Sequence, residues 1–284
     1  MDAPPEHEDC RPFVAVARLF AAAGVHVPQV LAEDFDNGYL LLSDLGSTTY
    51  LQALDETNAD TLYSAANQAL LRMQLASRPA VLPAYDRALL LRELRLFPDW
   101  YVARHLGIAA DTAQAQVLDG VFELILANNL AQPSVYVHRD YHSRNLMLSD
   151  PNPGVLDFQD AVYGPITYDL ASLYKDAYVA WDEARILDWV VRYWEAARDA
   201  GLPVNRDFGL FYRDFEWMGV QRHIKVLGIF ARLFHRDGKD RYLQDMPLVM
   251  SYLRRACERY AELTPLLRLL DQFDRRQPAS GYTF

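Results

Sequence analysis

Two short apolar runs enclose Tyr136-Val-His-Arg-Asp-Tyr-His-Ser-Arg-Asn-Leu-Met-Leu148, which sets Asp140 and Asn145 on one loop, and Val155-Leu-Asp-Phe-Gln-Asp160 adds Asp157 after a Pro-Gly turn. These residue types can carry phosphoryl transfer. That reaction asks little covalent help of a protein, but it needs a carboxylate to accept the attacking hydroxyl's proton and oxygen ligands to hold magnesium on the phosphates. Asp140 suits the first task, and Asn145 and Asp157 suit the second. In the plainer alternative, Asp140 and Asp157 only cap a turn and a strand end.

The elements that must hold these residues are legible around them. Runs 135–137, 146–148 and 154–156 are bounded by Pro, Ser, Asp and Asn, the pattern of brief buried strands with functional loops between them. Upstream, 11–23 carries Phe13, Val16, Ala17, Leu19 and Phe20 at helical spacing and ends at Gly24, which predicts an amphipathic helix. Pro28 opens extended structure, and 29–35 and 39–45 flank Asp36-Asn37-Gly38, a hairpin signal. Apolar periodicity predicts helices over 59–76, 85–97, 112–130, 182–200 and 206–233. No repeat or low-complexity linker interrupts them, and the loosely composed 275–281 is expected to fray. The fold class is therefore α+β, with a mainly helical body around short strands.

Composition bounds the partners. The chain has 284 residues, 51% hydrophobic and 23% charged, with a net charge of −10. These are the values of a globular protein with room for a sizeable core or two unequal lobes. The acidic balance disfavours generic nucleic-acid binding. Cys10 and Cys257 are the only cysteines, too few and too far apart for a disulfide framework or zinc site, so they are expected to be reduced bystanders. No apolar run reaches the ~18 residues of a membrane span, and the start Met-Asp-Ala-Pro-Pro-Glu lacks the regions of a signal peptide. A cytoplasmic location without membrane partners is expected.

The His138-Arg139-Asp140 to Asn145 loop followed by Asp157-Phe158-Gln159 resembles the protein-kinase-like superfamily, and more closely the aminoglycoside phosphotransferase family, where the metal Asp is commonly followed by something other than Phe-Gly. The resemblance implies ATP and magnesium (Mg2+) as cofactors. It also implies Asp140 as catalytic base, with His138 and Arg139 shaping its loop, and Asn145 and Asp157 as metal and nucleotide ligands. By the same resemblance the hairpin belongs to a small lobe. Leu42, Ser43 and Asp44 then form the hinge at which an adenine would meet backbone, residues 1–46 are the nucleotide-binding piece, and 47–284 are the mainly helical catalytic and substrate lobe. Asp169, after a Gly-Pro turn, either braces the catalytic loop or caps a helix. His142 either touches substrate or packs its loop.

The beginning of the chain departs from that family. Its first lysine is Lys175 and its first glycine Gly24, so the Gly-rich turn over the phosphates and the strand Lys paired to a helix Glu are missing. Either the true start lies upstream and roughly fifty residues of the family's small lobe are absent, or nucleotide binds without a phosphate-covering loop. We favour the first, which predicts a crippled turnover and exposed apolar hairpin surface for the chain as written.

The resemblance implies that substrate choice falls to the C-terminal helices, which wall the acceptor pocket in that family. In Trp217-Met-Gly-Val-Gln-Arg-His-Ile-Lys225, Gln221, Arg222 and Lys225 have the spacing to share one rim. A basic rim argues against a polycationic antibiotic and for a neutral or anionic sugar. Alternatively, Arg222 and Lys225 are solvated helix charges. Leu91-Arg-Glu-Leu-Arg-Leu-Phe-Pro-Asp-Trp-Tyr101, Asp2-Ala-Pro-Pro-Glu6, the Val137–Asn145 loop and Gln221-Arg-His-Ile-Lys225 are further similar to bacterial kinases that phosphorylate the anomeric hydroxyl of N-acetylmuramate and N-acetylglucosamine in cell-wall recycling. That resemblance gives Arg222 or Lys225 a lactyl carboxylate to bind, and Glu93, Phe97, Asp99 and Trp100 a sugar to line. In the bland reading Glu93 and Asp99 are ordinary helix charges and Trp100 is core. The expected function is thus an ATP-dependent sugar kinase. A kinase of another small alcohol, such as an aminoglycoside, choline or hydroxy amino acid, and a non-catalytic pseudokinase-like binding module stay open beside it.

Overall fold

The turn Asp36-Asn37-Gly38 closes a hairpin of β1 (Val30–Asp34) and β2 (Tyr39–Leu42), antiparallel with Asp34 opposite Tyr39. Gly38 stands at φ +73°, and a side chain there would put its Cβ 2.1 Å from the Ala3 carbonyl oxygen, so only glycine lets the N-terminal residues run this close. Leu40 is buried, whereas Leu31, Tyr39 and Leu41 are exposed. The structure, a computed structural model, describes residues 1–6 and 8–276; the end of the 275–281 stretch expected to fray lies outside the described residues.

The further strands among the described residues are β3 (Ser134–Val137), β4 (Leu146–Met147), β5 (Gly154–Val155) and β6 (Val162–Pro165). The helices in chain order are α1 (Arg11–Ala22), α2 (Tyr50–Ala53), α3 (Ala59–Leu75), α4 (Arg87–Leu96), α5 (Thr112–Leu130), α6 (Tyr168–Tyr174), α7 (Glu183–Asp199), α8 (Phe208–Asp237), α9 (Met246–Arg259) and α10 (Thr264–Arg276). A π-helix, Phe97–His105, continues directly from α4. Among the described residues no helix is long and apolar enough to cross a membrane.

Contacts divide the chain into two compact units. The first comprises residues 1–85 and 132–213. In it β3 pairs antiparallel with β6, and β4 with β5, giving two short ribbons whose intervening loops carry the polar motif. Helix α3 packs on α7 and on β3. Tyr63, Tyr174 and Trp189 form an aromatic cluster there, with Tyr63 and Trp189 centroids 4.4 Å apart. On α1, Phe13, Val14, Val16, Ala17 and Phe20 are buried, the stripe that the sequence spacing predicts. Phe13 and Phe20 meet Phe158 at 4.8 and 5.9 Å.

The second unit comprises residues 86–131 and the chain from Asp214 on. Here α10 packs on α5 and α9, and α4 on α5. At Gly228 of α8 a Cβ would stand 2.4 Å from the carbonyl carbon of Leu96, so glycine permits α8 to touch backbone where α4 gives way to the π-helix. Sequence spacing sets Gln221, Arg222 and Lys225 on one rim of a substrate pocket, with solvated charges at Arg222 and Lys225 as the alternative; all three are buried, which overturns the solvated alternative. Gln221 donates to the Leu90 carbonyl at 3.0 Å, and the Lys225 ammonium lies 3.0 Å from Glu93 with both side chains about as inaccessible. A buried charge needs a partner, and Lys225 finds its own inside the helix packing. Cys10 and Cys257 are buried free thiols, and burial pushes the Cys257 thiol up to about 12.

Candidate active site

The loop from His138 to Asn145 leaves β3 and returns into β4, and buried groups hold it at several points. Asp169, fully buried in the first turn of α6, accepts the backbone N–H of His138 at 2.7 Å and of Arg139 at 3.0 Å. Arg139 adopts φ 77°, a left-handed conformation that bulky residues avoid unless surrounding bonds enforce it. Asp169 thus braces the loop, with Thr167 as the N-cap residue of α6. The Tyr141 hydroxyl donates to the Ala66 carbonyl at 2.8 Å, pinning the loop to α3.

His138 is fully buried. Its Nδ1 accepts the Asp140 N–H at 3.2 Å, and its Nε2–H donates to the Leu156 carbonyl at 2.9 Å. An N–H can only donate and a carbonyl only accept, so these partners fix the neutral tautomer. Burial lowers the imidazole pKa to about 4 against the pull of Asp140 and Asp157. His138 therefore shapes the loop as a neutral group and ties it to the segment carrying Asp157.

Asp140 and Asn145 are half-buried and Asp157 is exposed. The Asn145 amide N–H2 donates to the Asp140 carbonyl at 3.0 Å and to Asp157 Oδ2 at 3.2 Å, and the Leu156 N–H returns to the Asn145 carbonyl at 2.9 Å. These bonds bring together the three residues that sequence spacing singles out. Asp157 itself sits at φ 62°, a region Asp tolerates better than most side chains, and its Oδ1 accepts from Gln159 Nε2 at 2.9 Å. The following Phe158 is wholly buried against α1, which anchors the strained residue beside it.

The donor set fits a magnesium ion. The Asn145 nitrogen donates both hydrogen bonds, so its amide oxygen is left, with the Asp157 carboxylate, as a hard ligand atom for a metal. Among the described residues no cluster of three or more His, Cys, Asp or Glu forms a protein cage for a metal. Two protein oxygens, supplemented by phosphate and water, match the way magnesium is held with nucleotides.

The expected hinge lies in the same unit. Ser43 donates its N–H to the Gln29 carbonyl at 2.9 Å and receives the Gln29 N–H on its hydroxyl at 2.8 Å. Its N–H is thus spent within the hairpin, and only its carbonyl is left to meet a base. Asp44 accepts the Gly46 N–H at 2.9 Å, and Leu42 is the last residue of β2. Beyond them the Leu148 N–H reaches the Thr48 carbonyl at 2.8 Å and Thr49 bridges Met147, so the hinge segment is joined to β4.

Apart from His142, the substrate candidates lie in the second unit. Glu93 is buried in its pair with Lys225, Arg222 is buried, Asp99 is exposed and Trp100 is half-buried on the π-helix. Sequence reasoning passed over Asp176, Tyr178 and Arg144. Buried Asp176 accepts the Ser143 N–H at 3.0 Å and the Tyr178 N–H at 3.1 Å, and the Arg144 guanidinium lies 3.6 Å from the Tyr178 ring centroid. Arg144 was in view inside the motif, but nothing in its spacing reveals a stacking partner on another segment. His142 is buried with its ring edge-on to Tyr178 at 5.4 Å.

Residues 1–204 match the phosphotransferase enzyme family. The N-acetylmuramate/N-acetylglucosamine kinase of Pseudomonas aeruginosa is 56% identical over 95% of this chain and 80% of its own length. That of Neisseria meningitidis is 52% identical over 100% of this chain and 86% of its own. Among solved structures, ADP-bound aminoglycoside phosphotransferase APH(2'')-Ib superposes with a TM-score of 0.57 at 15% identity, covering 86% of this chain and 81% of that one. That likeness is one of fold.

Proposed function

Since the chain belongs to the phosphotransferase enzyme family, we propose that it transfers the γ-phosphoryl group of ATP to the anomeric C1 hydroxyl of N-acetylmuramate and N-acetylglucosamine, in the recycling of cell-wall sugars. The observation that carries the reaction is the hydrogen-bonded set of Asp140, Asn145 and Asp157 on one braced loop and its neighbour. The relatives above, whose names state both sugars, support the acceptor.

In the mechanism, Asp140 accepts the proton of the C1 hydroxyl as the hydroxyl oxygen bonds to the γ-phosphorus and the bond to the ADP oxygen breaks in line. Asn145 and Asp157 would hold magnesium, which would supply positive charge to offset that of the phosphates. Neutral His138 keeps the Asp140 backbone in register through Nδ1. His138 and Arg139 are placed by Asp169, which lowers the cost of orienting the base for each turnover. For the nucleotide, backbone at Leu42, Ser43 and Asp44 meets the base, with Ser43 limited to its carbonyl. Of the substrate candidates, His142 shares the unit that holds Asp140, Asn145 and Asp157.

The test is transfer of labelled phosphate from ATP by the full gene product to N-acetylmuramate, N-acetylglucosamine, choline and kanamycin. Transfer to the two amino sugars, with the phosphate on C1 by NMR, is expected. Transfer to choline or kanamycin alone, or to none, overturns the reading.

A further inference from the structure

Asp176 lies just beyond α6 and is almost wholly buried. Its Oδ2 takes the N–H and the hydroxyl of Ser143, and its Oδ1 takes the N–H of Tyr178. One carboxylate therefore fastens the 176–178 turn to the middle of the catalytic loop. Over that fastening, the Arg144 guanidinium carbon stands 3.6 Å from the Tyr178 ring centroid, a full face-to-ring contact, with His142 against the ring edge. Asp176, Ser143 and His142 are buried, but Arg144 and Tyr178 are half-exposed. Buried groups thus present a stacked Arg–Tyr pair at the surface of the catalytic loop itself.

Resting on the sugar-kinase reading, we propose that Arg144, laid on Tyr178, recognises the lactyl carboxylate that distinguishes N-acetylmuramate from N-acetylglucosamine, and that Asp176 is its positioning residue. Arg144 immediately precedes Asn145, whose amide holds the Asp140 carbonyl. Asp140 and Arg144 are rooted on the same short loop, so a sugar that brings its C1 hydroxyl to Asp140 lies against the loop that carries Arg144. The planar N–H fork of a guanidinium matches a carboxylate, and a guanidinium can stack by its face at the same time. Stacking also removes rotamer freedom before substrate arrives, so less is lost on binding. The buried Lys225, already paired with Glu93, is thereby relieved of the role that the resemblance implied for it.

The test compares kcat/KM for the two sugars in wild type, Arg144→Gln, Tyr178→Leu and Asp176→Asn, with thermal melts to confirm folding. Arg144→Gln is expected to lower kcat/KM for N-acetylmuramate at least about tenfold more than for N-acetylglucosamine, chiefly through KM. Tyr178→Leu and Asp176→Asn shift the same ratio in the same direction by less. Equal losses on both sugars, or an unchanged ratio, overturn the assignment. Wild-type turnover on neither sugar overturns the sugar-kinase reading and this inference with it.

Discussion

Asp169 accepts the backbone N–H of Arg139 at 3.0 Å while Arg139 holds φ 77°, so a buried carboxylate stabilises the one strained residue adjoining the proposed base. Replacing Asp169 by Asn keeps the shape but turns an N–H2 toward one of the two N–H donors it now satisfies. Asp169→Asn is expected to cost about 3 kcal/mol in urea unfolding and to lower kcat more than it raises the sugar KM. A stable variant with normal kcat would show that the brace is dispensable.

Phe158 gives the second prediction. It is wholly buried between Phe13 and Phe20 and holds the backbone next to left-handed Asp157. Phe158→Ala leaves a cavity and is expected to lose about 3–5 kcal/mol of stability, whereas Phe158→Leu keeps most of the packing. The checking measurement is chemical denaturation with and without magnesium and nucleotide; equal stabilities for the two variants would contradict the anchoring role.

The pH dependence of stability follows from His138. Its folded pKa of about 4 lies below the ordinary 6.5 because burial disfavours the charged ring. The unfolded chain therefore binds the proton first as pH falls. The contribution is fully present above about 6.5 and is lost progressively down to about 4, amounting to roughly 3 kcal/mol at most. The urea midpoint of wild type should fall over that window, and His138→Gln should flatten the fall. A variant whose midpoint drops as steeply as wild type would assign the effect to other groups.

Glu93 and Lys225 form the buried pair of the second unit. Lys225→Met removes the cation 3.0 Å from buried Glu93 and is expected to destabilise by about 3–5 kcal/mol. Adding Glu93→Leu removes the other member of the pair and should recover part of the loss, giving a non-additive cycle. Additive losses would mean that the two charges act independently.

The legible part of this protein is what lies close along the chain. The Asp140 to Asn145 spacing, the turn before Asp157 and the Asp36-Asn37-Gly38 hairpin are local, and the helical runs 59–76 and 112–130 fall almost residue for residue on α3 and α5. Less legible were elements whose character depends on remote partners. Strand β6 exists because it pairs with β3, and its Val162-Tyr-Gly-Pro165 carries no alternation of its own. The π-helix continues α4 across Phe97-Pro98, where proline reads as a stop. Lys225 read as a rim charge because its spacing is that of a helix face, and spacing does not say which face meets another helix. Asp176 and Tyr178 were invisible for the same reason: their meaning lies in Ser143 and Arg144, more than thirty residues earlier.

The most direct test of the central claim is turnover of Asp140→Asn on N-acetylmuramate, measured together with its Kd for ATP and magnesium. The account predicts a loss of about 10²–10⁴-fold in kcat, with nucleotide affinity nearly intact, because in the proposed mechanism Asp140 is the base and Asn145 and Asp157, not Asp140, would hold the metal. Turnover within a few-fold of wild type would contradict it and remove Asp140 as the base.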